Sequence, residues 1–161
     1  MAESVGRRDL AAMIVPLGRA LMAAELPVLR AHGVSMWGYS VLIALDDEPL
    51  RTQAALAESI GADKTRIIGV LDELQRKGLI LREPDPADRR VRLLSITPEG
   101  RRVRESVQAA IQEGEERLLA LLPADDRRGF LCALGALSSL SPEEIAGGRP
   151  GGSGARETAG A

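Results

Sequence analysis

The side chains best suited to chemistry in this 161-residue chain are basic, and they fall in two groups. Lys64, Thr65 and Arg66 stand together at the head of an amphipathic stretch. Arg89 and Arg90 follow Asp88 in the turn-forming string PDPADRR. Guanidinium and ammonium groups reach phosphates and the acceptor edge of guanine, and a threonine hydroxyl bonds either a base or a phosphate. Covalent chemistry has little to work with. Cys132 is the only cysteine, so no disulfide framework or cysteine-based zinc site forms within one chain. Zinc chemistry or a catalytic triad would hang on the single histidine, His32. No glycine-rich phosphate loop follows a strand. No catalytic residue, metal or cofactor is expected.

Composition narrows the partners. The formal net charge is −2, which excludes a wholly basic coat protein but leaves room for a local basic face. Residues 62–104 carry a net +4 and the remainder −6. Aromatics are only Trp37, Tyr39 and Phe130, too few for a sheet on which bases stack. Hydrophobic residues make up 45% of the chain, enough for a packed core. No uninterrupted run of 18 apolar residues occurs, and the first nine residues do not read as a signal peptide. The expectation is a cytoplasmic protein that does not span a membrane.

The elements that must position the basic groups follow from periodicity and caps. Leu10, Met13, Ile14, Leu17 and Leu21 predict a helix over 9–31, with a kink or break at Pro16 and Pro27 and a left-handed close at Gly33. Ser35 predicts the N-cap of a helix over 36–46. Thr52 caps a short helix to Ile60, Gly61 makes the turn, and Asp63 caps a helix over 64–77. Strands are expected over 79–83 and 91–96 with a long tip between them. Thr97-Pro98 opens a long helix to about Leu122, Pro123 stops it, and a last helix covers 125–140. From Gly147 the tail is glycine-rich without apolar pattern and is expected to be disordered.

Within Gln53 to Leu71, the residues Leu56, Ile60, Ala62, Ile67 and Val70 are spaced to pack two short helices across a tight turn. Ala57 is small where they would cross. This is a helix-turn-helix pattern, whose second helix would present Lys64, Thr65 and Arg66 to a major groove. An ordinary helical hairpin is the bland alternative. The hairpin that follows carries Asp85, Asp88, Arg89, Arg90 and Arg92 at its tip. Asp88 and Arg90 lie two apart, and on a strand they would share a face. Arg90 is then a groove probe and Asp88 the carboxylate that orients its guanidinium. A solvated hairpin with a weak ion pair is the competing reading.

At this point the chain resembles the multiple-antibiotic-resistance regulator (MarR) family. The resemblance rests on LAESIGADKTRIIGVLDELQRKGLI, on REPDPADRRVRLLSITPEG, and on the long flanking helices. It covers about residues 9–140. It implies a mainly α fold with a small β-hairpin wing, a winged helix-turn-helix region (35–97) flanked by dimerisation helices (9–34 and 98–140), and a tail (147–161) outside the match. It implies a homodimer on a palindromic DNA operator, usually a repressor, released by a small ligand or by oxidation. Lys64, Thr65 and Arg66 match recognition-helix positions. Asp88 and Arg90 match the family's D-x-R wing motif, with Arg89 between them. Thr52 and Gln53 match positions that often meet backbone phosphates. Gly69 departs from the pattern, standing where many members carry a larger, often polar residue. A winged helix serving protein interaction without DNA is the alternative function.

Two places could answer a signal. His32, Trp37 and Tyr39 lie near the cleft in which family members often bind phenolic or aromatic acids. Core-filling roles for Trp37 and Tyr39 are the alternative. Cys132, beside Phe130, Leu131 and Leu134, is expected to be buried and structural, with an intersubunit disulfide as the other option.

Overall fold

Capping side chains set the boundaries of the helices that carry the basic groups. In the computed structural model, which describes residues 6, 8–48 and 51–147, helix α1 spans Leu10–Ala31 and α2 spans Met36–Asp47. The Ser35 hydroxyl accepts the Gly38 N–H at 3.0 Å and caps α2. A two-residue strand, β1 (Arg51–Thr52), leads into α3 (Gln53–Ile60), and α4 covers Lys64–Arg76. Strands β2 (Ile80–Pro84) and β3 (Arg92–Ile96) precede α5 (Pro98–Leu119), α6 (Ala124–Ser138) and the single turn α7 (Pro142–Ile145). The fold is mainly α with a β-hairpin wing, as the sequence implies. The expected disordered tail lies outside the described residues beyond Gly147.

The hairpin gains a third strand that no local pattern announces. β1 pairs antiparallel with β3, Arg51 opposite Leu94 and Thr52 opposite Leu93, giving the order β1-β3-β2. β2 pairs with β3 from Ile80 opposite Ile96 to Pro84 opposite Arg92.

The chain divides into two compact units, Met1–Gly114 and Glu115–Ala161. The first holds the core. Val41, Leu42 and Leu45 of α2 share one cluster with Leu56 of α3, Ile67, Leu71 and Leu74 of α4, and Ile80, Leu94 and Ile96 of the sheet, together with Leu29 and Val107. The start of α5 is docked tightly. Thr97 donates its hydroxyl to the Gly78 carbonyl at 2.7 Å and accepts the Gly100 N–H at 3.0 Å. A Cβ built on Gly100 would lie 2.0 Å from the Leu79 carbonyl oxygen, so only glycine fits there. Asp46 on α2 holds both Arg101 and Arg104 of α5, at 3.1 and 2.9 Å.

Three expectations need correction. α1 is one continuous helix with Pro16 and Pro27 inside it, so of the expected kink or break the break does not occur. Each proline deprives one carbonyl, four residues earlier, of its N–H partner. Those carbonyls belong to Ala12 and Ala23, both exposed residues. α5 stops at Leu119, because Leu121 and Leu122 turn back to the carbonyls three residues before them. Cys132 is exposed, since no residue of α6 is buried within the chain. One further result concerns α1: among the described residues, it alone is long and apolar enough to cross a membrane. It is apolar on average only, because Arg19 and Glu25 interrupt it.

Candidate nucleic-acid interface

The turn between α3 and α4 is built by three short-range devices. Gly61 adopts φ 66°, a left-handed setting in which a Cβ would be strained. The Ala62 N–H then reaches back to the Ala57 carbonyl at 2.9 Å. Asp63 caps α4 by accepting the Arg66 N–H at 2.7 Å. Leu56 and Ala57 of α3 and Ile67, Leu71 and Leu74 of α4 are buried, which turns the opposite face of α4 outward. That face carries Lys64, Thr65, Arg66 and Gly69, all exposed, and Ile68, 47% exposed. Among the described residues, and apart from its own helical backbone, nothing lies within 4 Å of a Cβ built on Gly69. Arg66 is the most constrained of the group. Its guanidinium lies over the Trp37 ring, 5.4 Å from the centroid, and its Nε is 3.9 Å from Asp63 Oδ2. At the head of α3, Thr52 accepts the Ala55 N–H at 3.2 Å, and Thr52 and Gln53 are half-buried.

The wing is braced against α4 at its base. Arg82 of β2 donates to Gln75 Oε1 at 2.6 Å and pairs with Asp72 of the same helix. At the tip the carboxylates shape the backbone. Asp85 accepts the Ala87 N–H at 2.8 Å, and Asp88 accepts the Arg90 N–H at 3.0 Å. The Asp85 N–H bonds the Val91 carbonyl and the Val91 N–H bonds the Asp88 carbonyl, both at 2.9 Å. Residues 85–91 are turn and not strand, so the argument that Asp88 and Arg90 share a strand face does not hold. Asp88 sets the Arg90 main chain and leaves its guanidinium free. Both Arg89 and Arg90 are exposed, and neither has an ion-pair partner among the described residues.

The three signal-site residues take separate places. Trp37 and Tyr39, two apart on α2, project to opposite sides of the helix. Trp37 meets α4, whereas Tyr39 is buried in the core. His32 ends α1, with Nδ1 2.8 Å from the Val28 carbonyl oxygen and Nε2 3.0 Å from the Ser106 hydroxyl of α5. Sequence reasoning missed the contact of Trp37 with Arg66, the brace of Arg82 on α4, and the Asp46 bridge to α5. None of these pairs has a local spacing that announces it. Among the described residues no cluster of His, Cys, Asp or Glu is arranged to hold a metal.

A short helix, a glycine turn, an exposed second helix and an arginine-tipped hairpin define a winged helix-turn-helix protein. Residues 34–91 match the profile of the MarR family. The transcriptional regulator HosA of Escherichia coli O111:H- is 33% identical over 96 residues, covering 58% of this chain and 69% of HosA. The PcaV transcriptional regulator from Streptomyces coelicolor, solved with its natural ligand, is 31% identical. The alignment covers 83% of this chain and 97% of PcaV, with a TM-score of 0.60. CouR from Rhodococcus jostii RHA1, solved with p-coumaroyl-CoA, is 28% identical over 83% of this chain and 94% of CouR, with a TM-score of 0.65. Matches to the curated relatives span 64–69% of their length. The chain belongs to the MarR family of transcriptional regulators. Its relatives are regulators and not enzymes, in agreement with the lack of catalytic groups in the sequence.

Proposed function

We propose that this chain is a sequence-specific DNA-binding repressor that acts as a homodimer on a palindromic operator. One observation supports it above the others. The exposed head of α4, with Lys64, Thr65 and Arg66, and the wing tip, with Arg89 and Arg90, are basic surfaces with defined backbones. Lys64, Thr65 and Arg66 read base edges and phosphates in the major groove, and Arg90 enters the minor groove beside it. Thr52 and Gln53, at the head of α3, meet the phosphate backbone.

Dimerisation accounts for apolar surface that one chain leaves open. Leu10, Ile14 and Leu17 of α1 and Leu131, Leu134 and Leu137 of α6 are exposed. Twofold pairing buries such faces and sets two recognition helices about one DNA turn, roughly 34 Å, apart. Subunit pairing also explains α1 better than a membrane does. Arg19 and Glu25 within the helix would each cost about 2.5–3.5 kcal/mol at a bilayer centre. The protein is then cytoplasmic. In solution it should run at twice its chain mass by light scattering at micromolar concentration; a monomer would remove the dimer.

The ligand that releases DNA is a small aromatic acid or its coenzyme A ester. CouR with p-coumaroyl-CoA supports this chemistry. Of the three signal-site residues only His32, bonded to the Val28 carbonyl of α1 and to Ser106 of α5, carries this reading, because Trp37 lies against Arg66 and Tyr39 is buried in the core. The experiment that tests the whole reading is selection of genomic fragments by the purified protein, followed by binding in the presence of a panel of aromatic acids. A recovered palindrome whose binding falls with salt and with one such acid is the expected result. Recovery of no common sequence would overturn it.

A further inference from the structure

Arg66 differs from its neighbours on the exposed face of α4. Lys64 has no ion-pair or ring partner among the described residues. The Arg66 guanidinium, in contrast, lies over the Trp37 ring at 5.4 Å from the centroid, with its Nε 3.9 Å from the Asp63 carboxylate and the side chain 56% exposed. The ring is half-buried in the first turn of α2. Next to it, Gly38 is buried, and a Cβ there would lie 3.1 Å from Ser35 Oγ, 3.2 Å from Val34 Cγ1 and 3.4 Å from Leu74 Cδ2 of α4. The head of α2 thus lies in van der Waals range of α4, and the Ser35 cap fixes its first turn. Asp63 is equally fixed, because its other oxygen caps α4.

A guanidinium over an indole face is attracted by the ring and oriented by stacking on it. A long side chain held in this way has less freedom to lose when it binds. We infer that Trp37 is a positioning residue for base recognition: with Asp63 it holds Arg66 ready for a guanine edge, and so it sets base preference at the Arg66 contact. This rests on the DNA-binding reading above. Trp37 acts through Arg66 and not through the DNA, and its contribution depends on the arginine being present.

Trp37 is the only tryptophan of the chain, so its fluorescence reports the contact without a label. In the free protein, Arg66→Ala should change the intensity and position of the emission, and Lys64→Ala should not. An unchanged Arg66→Ala spectrum overturns the contact, whatever the protein does with DNA. On the selected operator and on duplexes with each base pair replaced in turn, Arg66→Ala should erase preference at one base pair per half-site. Trp37→Leu should reduce preference at that same base pair about two- to fivefold. Trp37→Phe, which keeps a ring, should reduce it less, and Trp37→Leu should add nothing to Arg66→Ala. A loss spread evenly over all duplexes, or a full further loss in the Arg66→Ala background, makes Trp37 a packing residue and overturns the inference. If the unmodified protein shows no base preference at all, the DNA-binding reading itself fails, while the fluorescence result still decides the contact.

Discussion

In α2, Tyr39, Val41, Leu42 and Leu45 are buried. In α6, a helix of comparable length, Phe130, Leu131, Leu134 and Leu137 are exposed. Both helices carry apolar side chains at helical spacing, yet one completes a core within its unit and the other leaves an apolar face uncovered. The first unit closes because α2, α3, α4 and a three-stranded sheet converge on the same residues. Between Glu115 and the last described residue, the second unit has only α6, α7 and the end of α5. The lesson is that an apolar stripe announces burial without saying whether the cover comes from the same chain.

The contrast can be broken most sharply by truncating one leucine in each unit. Leu71→Ala, at a fully buried site, should cost about 2–5 kcal/mol in urea unfolding. Leu134→Ala should leave that transition in place and instead weaken association, seen as a shift of the monomer–dimer midpoint with protein concentration. Equal effects on unfolding would mean that the two faces are covered alike. Next in size is Gly100→Ala, which drives a methyl group into the Leu79 carbonyl and should cost about 1–3 kcal/mol or more. Normal stability of that variant would show that α5 can lift from the sheet.

Arg90→Ala should leave unfolding untouched, weaken operator binding by about 1–3 kcal/mol, and flatten its salt dependence. Binding as tight as the parent's would remove the wing from the interface. The smallest effect has two signs. Gly69 lies within α4 with no internal neighbour to require it, so Gly69→Ala should raise stability by up to about 1 kcal/mol. The same variant should weaken operator binding if DNA approaches the bare helix face at that point. A gain in both would place Gly69 outside the contact.

Much of the winged region was legible because its signals are local. Ser35, Thr52 and Asp63 each accept an N–H three residues on, and Thr97 does the same for α5. Other features were illegible for identifiable reasons. Asp88 reads equally well as a guanidinium partner or as a turn former, and only the path of the tip makes it the latter. Cys132 sits among apolar neighbours in sequence, but the helix that carries it buries none of its residues within the chain. Trp37 and Tyr39 are nearly adjacent in sequence, yet helical geometry sends one to α4 and the other to the core.

By itself the sequence determined the order of helices α1 to α6, the glycine turn, the hairpin and the location of the basic side chains. Caps, turns and periodicity act over three or four residues, so they survive without knowledge of the fold. Tertiary structure alone decided that β1 joins β3, that Arg82 braces the wing on α4, that Asp46 ties α2 to α5, and that Trp37 lies against Arg66. Each of these depends on the angle and distance at which separate elements pack, which no neighbouring residue encodes.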